Sequence, residues 1–262
     1  MALVHDLANV YSGLGLHGRA LELYSRAVVG SEQQSGPEDL ASLRYTSSLA
    51  LAYMRDGRTL EAAAMFQRVR DTRERLLGSN HYDTVASDLM LARWHINQSE
   101  YREAERLARQ AKMTLERQFS KESQDVIRAR LILGSSLQAL GRNVEAEDEM
   151  LNAIYAIERK SLNPRELASA YIDYAQTLVD GFGNRPAAIF FLKRVLATYT
   201  ELETNIVLDG GIYEAERKPL LAAFQKENAV VSFQLAQLLA QEGRFGEADY
   251  FGRYAKLSLI HI

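Results

Sequence analysis

Alanines at 20, 62, 104, 146, 188 and 248 recur in four steps of 42 residues and one of 60. Much else keeps the same frame. Leu7-Ala8-Asn9-Val10-Tyr11 written above Leu49-Ala50-Leu51-Ala52-Tyr53 aligns Gly15 with Gly57, Tyr24 with Phe66 and Ala27 with Val69. The register continues through Leu91-Ala92 with Ala111, and through Leu133-Gly134 with Gly141 and Ala153. After a one-residue slip it takes in Tyr174-Ala175 and Val195, and it ends with Leu235-Ala236, Gly243 and Ala255. A chain written as one short unit many times over buries its apolar surface by stacking each unit on the next.

Within a unit, apolar and small residues fall at i, i+3, i+4 and i+7, as in Thr46, Leu49, Ala50 and Tyr53, which is one stripe of an α-helix. A second stripe, Ala62, Phe66 and Val69, follows a break at Asp56-Gly57-Arg58, where glycine permits the left-handed residue that ends a helix. Small side chains in the columns of Ala8, Ala20 and Ala27 let two antiparallel helices approach closely, and larger ones would push them apart. Pro37 and Pro164 lie between units, and Pro186 opens a second helix, where a missing N–H costs little.

No segment has the pattern of a strand. The expected fold is all-α, a right-handed α-solenoid of about six helix-turn-helix repeats over residues 1–36, 37–79, 80–121, 122–163, 164–204 and 228–256. Residues 205–227 break the period. Asn205 to Gly211 is read as a loop with Asp209-Gly210-Gly211 as its breaker, and Ile212 to Asn228 regains helical spacing around Pro219, so a lengthened helix pair is expected.

Composition narrows the function. With 47% apolar and 25% charged residues and four prolines, the chain is neither disordered nor collagen-like. A net charge of -3 gives no global field for nucleic acid or an anionic membrane, so neither is expected as a partner. No apolar run approaches the roughly 18 residues that a membrane span needs. Met1 to Val10 lacks a secretory profile, and a cytoplasmic location is the expectation. The absence of cysteine excludes disulfides, thiolate zinc sites and a cysteine nucleophile within this chain.

The run Leu7, Ala8, Tyr11, Ala20, Tyr24 and Ala27 resembles the signature of the tetratricopeptide repeat (TPR). The 42-residue period and connectors such as Leu77-Gly78-Ser79-Asn80-His81-Tyr82-Asp83-Thr84 are similar to its longer kinesin-light-chain-type variant. His95 in the Tyr11 column and Gly252 in the Tyr24 column depart from the pattern. Segments 188–193, 235–239 and 242–248 also resemble the stretch ahead of the peptidase in bacterial CHAT proteins, caspase-like enzymes with such repeats upstream. That resemblance implies the sensor or docking arm of a larger regulatory protein, with the peptidase beyond residue 262; a stand-alone adaptor is the alternative. Leu257 to Ile262 is similar to the translated end of a sequencing adapter and is set aside as a non-native tail.

Several motifs imitate chemistry. Gly13-Leu14-Gly15-Leu16-His17-Gly18 fits a dinucleotide fingerprint, but it falls in an intra-repeat turn without the strand that fingerprint needs. The five histidines show no pairing at metal-ligand spacing, and His95 is expected to pack between helices as a neutral ring. Glu61, Glu103, Glu145 and Glu247 stand one per repeat in the first turn of a second helix, where they favour the helix dipole and face water. Paired catalytic carboxylates must converge on one bond. Asn97-Gln98-Ser99 is a formal glycosylation sequon in a turn. No catalytic residue, metal or cofactor is therefore expected.

A groove is the stronger candidate. On each first helix, residues two steps off the packing stripe lie about 200° around the axis and face away from the partner helix. Among them, Arg44, Arg93 and Arg128 are placed to pair with carboxylates of a protein or peptide ligand. Leu51, Met54, Leu89 and Leu131 are placed to offer apolar pockets, and Gln138 and Gln176 extend the lining. His5 and Asn9 belong to the same set. In the competing reading, the arginines are merely solvated and the apolar members meet neighbouring helices. The carboxylate clamp of chaperone-tail binders is not matched, since Leu51 follows Asn9 in its column.

Overall fold

The computed structural model describes residues 1–13, 16–160, 164–208 and 214–260. The described residues form twelve helices and no strand, as an all-α repeat fold requires. They are α1 (Ala2–Gly13), α2 (His17–Ser35), α3 (Leu40–Arg55), α4 (Thr59–Leu77), α5 (Tyr82–Asn97), α6 (Tyr101–Gln118), α7 (Gln124–Ala139), α8 (Asn143–Lys160), α9 (Pro164–Phe182), α10 (Arg185–Leu208), α11 (Glu214–Gln241) and α12 (Phe245–Ile260). The chain divides into two compact units, Met1–Leu140 with α1–α7 and Gly141–Ile262 with α8–α12.

The described turns inside the pairs have one recurring geometry. Gly57, Gly141, Gly183 and Gly243 all have positive φ, between 62° and 83°, and Ser99 takes the same place at 61°. At three of these turns the next N–H reaches back five residues: Arg58 to the Tyr53 carbonyl, Glu100 to His95 and Arg244 to Leu239, at 2.8–2.9 Å. This is the bond of a Schellman motif, and only a left-handed residue allows it. The connectors between pairs repeat as well. Asp39, His81 and Ser123, 42 residues apart, each accept a backbone N–H at the start of a first helix, at 2.9, 3.2 and 3.4 Å.

The cores follow the small columns. Ala20, Ala62, Ala104, Ala146 and Ala188 are all buried, as are Ala27, Val69, Ala111, Ala153 and Val195. In the first unit, Ala8, Ala20, Tyr24, Ala27 and Val28 form one cluster with Tyr45 and Leu49 of the next first helix, so the core is shared between pairs. The later contacts in that unit carry charge. Buried Arg73 donates to the Asp83 carbonyl at 3.1 Å and to Ser87 Oγ at 2.8 Å. Arg70 holds buried Asp88 at 3.1 Å, and burial raises the Asp88 pKa against that pairing.

Two expectations change. Residues 205–208 are not loop but the last turn of α10, because buried Ile206 continues the stripe of Leu192, Val195 and Tyr199. Residues 209–211, with the Asp209-Gly210-Gly211 breaker, lie outside the described residues. The pair around the interruption is lengthened: α10 has 24 residues and α11 has 28, with Pro219 inside α11.

His95 is the second. Its ring is not enclosed between helices; it stands in the last turn of α5, half-buried, with Nδ1 2.6 Å from Glu100 Oε2 and the ring edge against Trp94. The side chain leans over the turn. Tyr53 does the same beneath the Arg58 guanidinium, 3.7 Å from its ring centre. The enclosed histidine is His5, 5% exposed, whose Nε2 is 2.9 Å from Ser48 Oγ and whose ring lies 4.6 Å from that of Tyr45. Burial lowers its pKa.

Candidate functional site

In the first unit, the proposed groove columns separate by burial. Arg44 and Arg93 are exposed, while Leu51, Arg128, Leu131 and Gln138 are half-buried. Leu89 and Met54 are not groove side chains. Leu89 is 2% exposed and Met54 9%, so both are core. The reason is geometric. The 200° argument considers one pair alone, yet α5 also touches α3 and α7, and a flank turned from the helix's own partner is covered by the next first helix. His5 is enclosed by Ser48 and Tyr45 of α3 in the same way.

The arginines differ in freedom. The Arg44 guanidinium lies 5.2 Å from the centre of the Tyr45 ring. Arg128 pairs with Asp125 at 2.9 Å, and Asp125 also accepts the Tyr82 hydroxyl at 3.0 Å. Burial, followed by that carboxylate, raises the Tyr82 pKa. Among the described residues no carboxylate pairs with Arg93, which leaves it as the most available cation of the three.

Gln176 lies in the second unit, on a better-formed site. A cleft of about 240 Å³ runs between α9 and α11, with Leu192 of α10 at its floor. Four glutamines, Gln176, Gln234, Gln237 and Gln241, surround apolar Ile172, Val179 and Leu238. Each amide presents two N–H donors and a carbonyl acceptor without net charge. Gln176 donates to Asp180 Oδ2 at 2.6 Å, which fixes one of them. Gln234 and Gln241 were missed from sequence; the available signal was a run of glutamines at helical spacing, 234, 237 and 241, on one flank of α11.

The motifs that imitate chemistry resolve locally. Gly13 ends α1 and His17 begins α2, so the glycine fingerprint joins two helices; Leu14 and Gly15 lie outside the described residues. Glu61 pairs with Arg58, Glu145 with Arg142 at 2.6 Å and Glu247 with Arg244 at 2.5 Å, each within its own turn. Glu103 turns instead to Arg106, at 2.9 Å. These hydrogen bonds hold Glu61, Glu103 and Glu247 below the usual carboxylate range, with Lys193 the leading cause at Glu247. Carboxylates held by neighbouring cations a full repeat apart do not converge on one bond as an acid–base pair must. Among the described residues, no three His, Cys, Asp or Glu side chains are grouped to hold a metal ion, and no helix is long and apolar enough to cross a membrane.

Fold and site can now be set beside known proteins. A tetratricopeptide repeat family model matches residues 41–112, which span α3 to α6 almost completely. Comparison with curated proteins gives no match. Among solved structures, a Podosopora anserina protein described as a kinesin light chain with nearly identical TPR-like repeats is 24% identical, with TM-score 0.56, covering 78% of this chain and 96% of its own. BtubC (BKLC) from P. vanneervenii is 15% identical with TM-score 0.67, covering 93% and 91%. The Rap conjugation gene regulator of plasmid pLS20, in complex with the Phr* peptide, is 13% identical with TM-score 0.65, covering 97% and 72%. The class is therefore that of TPR-like helical repeat folds, of the type seen in kinesin light chain and Rap proteins.

Proposed function

We propose that the chain is a protein-interaction scaffold whose first helices hold an extended peptide segment of a partner. The α9/α11 cleft carries this reading. An extended peptide offers alternating N–H and C=O groups, and neutral amide side chains satisfy both without demanding a charged ligand. The apolar residues between the glutamines then take side chains of the bound segment. In the first unit, Arg93 in the column of Leu51, Arg44 and Arg128 in a second column, and Leu131 and Gln138 on α7 supply a place for an acidic portion of that partner. The Rap regulator of the same fold in complex with the Phr* peptide supports a peptide ligand.

The reading includes no catalytic step and no cofactor. It extends to a cytoplasmic docking arm of a larger bacterial regulatory protein, supported by the likeness of segments 188–193, 235–239 and 242–248 to the stretch ahead of a CHAT peptidase. Sequencing the source gene past Lys256 separates that arm from a stand-alone adaptor: a downstream α/β segment bearing His and Cys favours the first, an early stop codon the second.

The binding claim is tested by selecting random displayed peptides on the immobilised full chain and measuring their affinity by calorimetry. Gln176→Ala with Gln241→Ala should weaken the selected peptides at least about tenfold, the equivalent of about 1.4 kcal/mol. Arg93→Ala with Arg128→Ala should weaken acidic peptides and flatten their salt dependence. Selected peptides that bind both double variants like the parent would remove these surfaces from consideration.

A further inference from the structure

We propose that the α9/α11 cleft selects a peptide in which an apolar residue stands two positions from a lysine or arginine, with Asp180 recognising the cation. The proposal rests on the peptide reading of this cleft and adds the chemistry of its ligand. Both walls of the cleft belong to the second unit.

The recognising charge stands at the rim. Asp180 is exposed in the last turn of α9, and its Oδ2 accepts the Gln176 side-chain N–H at 2.6 Å. Among the described residues, no lysine, arginine or histidine pairs with it. Arg185, the next cation along the chain, turns to Glu242 instead, at 3.6 Å. Other carboxylates of this unit are matched: Glu158 has Arg194 at 3.1 Å, Glu247 has Lys193 at 2.7 Å and Asp249 has Arg253 at 2.7 Å.

Its position makes an unpaired negative charge unfavourable. The last carbonyls of an α-helix carry partial negative charge, which repels a carboxylate in the last turn and favours a cation there. Neither α9 nor α11 has a basic residue in its last turn, and Val179 and Gln241, from those two turns, both line the cleft. The equivalent place holds Arg55 on α3, Asn97 on α5 and Ala139 on α7. Hydration alone would be served as well by an amide like that of Asn97, without the repulsion. Two helix ends and one carboxylate therefore offer a site that a cation on the ligand completes.

The floor and the carboxylate set the spacing. Ile172, Val179, Leu192 and Leu238 make the apolar part of the cleft, which takes one side chain of the ligand. In an extended segment, side chains two residues apart share a face and stand about 7 Å from each other. Asp180 lies one helical turn, about 5.4 Å, beyond Gln176 along α9. A lysine or arginine two positions from the seated apolar residue thus reaches Asp180 while the glutamines hold the backbone between them, and an acidic residue at that place meets like charge.

Arrayed peptides probed with the full chain test this. Each is acetylated and amidated and carries Leu-Ala-Z or Z-Ala-Leu between random flanks, with Z lysine, glutamate or norleucine, which keeps the apolar stem without the charge. Lysine peptides should bind at least about tenfold tighter than norleucine peptides at low salt, and the margin should shrink at high salt; glutamate peptides should be weakest. Asp180→Asn keeps an acceptor for Gln176 and should bring lysine peptides down to the norleucine level, leaving norleucine peptides and the helical circular dichroism unchanged. Asp180→Lys should turn the preference towards glutamate. A parent chain indifferent to lysine, or a lysine preference that survives Asp180→Asn, overturns the proposal, and peptides still weakened by Gln176→Ala with Gln241→Ala then keep the cleft as a peptide site. Peptides that ignore the glutamine variant overturn both readings.

Discussion

Replacing Ser99 with glycine should stabilise the α5/α6 turn. Of the described left-handed positions that close a first helix, at 57, 99, 141, 183 and 243, only Ser99 carries a side chain, at φ 61°. The left-handed conformation costs an L-residue about 1–2 kcal/mol through the approach of Cβ to the following carbonyl oxygen. Glycine returns about 0.4–1 kcal/mol of that as extra freedom of the unfolded chain. The exposed hydrogen bond from the Tyr101 hydroxyl to Ser99 Oγ, 3.2 Å long, is also lost, at a few tenths of a kcal/mol. About 0.5 kcal/mol in favour of Ser99→Gly remains. The reverse change, Gly57→Ser, has the conformational terms alone and should cost about 0.8 kcal/mol. Trp94, the sole tryptophan, reports on both turns, since it lies on α5 and its indole N–H donates to the Thr59 carbonyl at 3.1 Å. Urea unfolding followed by Trp94 fluorescence should give a higher midpoint for Ser99→Gly and a lower one for Gly57→Ser. If the first leaves the midpoint unchanged or lowers it while the second is harmless, the left-handed turn is not what shapes these repeats.

Two further outcomes follow from the packing. Ala104, fully buried between α5 and α6, should not accept Leu: the overpacked pair should lose about 1–3 kcal/mol, read as a lower melting temperature. For His5, burial first and then the Arg44 charge lower the pKa, outweighing Asp6, so the unfolded chain binds the proton more tightly than the folded one. The stability His5 contributes is therefore complete above the ordinary histidine value of about 6.5 and is lost as pH falls from there through the lowered folded value. Unfolding midpoints measured on both sides of that value should show the loss in the parent and a smaller one in His5→Phe.

The register of the fold was legible because it depends on sterics that leave a trace in residue type. Wherever two backbones must approach, the column is small, and Ala20, Ala62 and Ala104 show it without coordinates. Glycine marks a turn for the same kind of reason. The trace fails where another residue type adopts the conformation, as Ser99 does in the left-handed turn and His81 does as a helix cap. It also fails where the property belongs to a contact between repeats, because the period gives their spacing and not their mutual rotation. Leu89 and Met54 were misplaced for that reason. The α9/α11 cleft was legible only in part: Gln176 and Gln237 stand two steps off the packing stripes of their helices, but Gln234 and Gln241 also line the cleft from flanking positions on α11.

The same dependence on neighbours explains why one column contains such different residues. His5, Leu89 and Phe233 occupy equivalent places on their first helices. At two of these places the following first helix covers the residue: His5 meets Ser48 and Tyr45, and Leu89 is enclosed, whereas Leu131 of the same column stays half-buried. Where none follows among the described residues, the same position is surface, and Phe233 places its ring in water. A residue chosen only for solvent would not be a phenylalanine, because burying that surface is the favourable direction for apolar atoms. The identity of Phe233 thus follows the apolar members of its column, whereas its exposure follows the neighbours it has among the described residues.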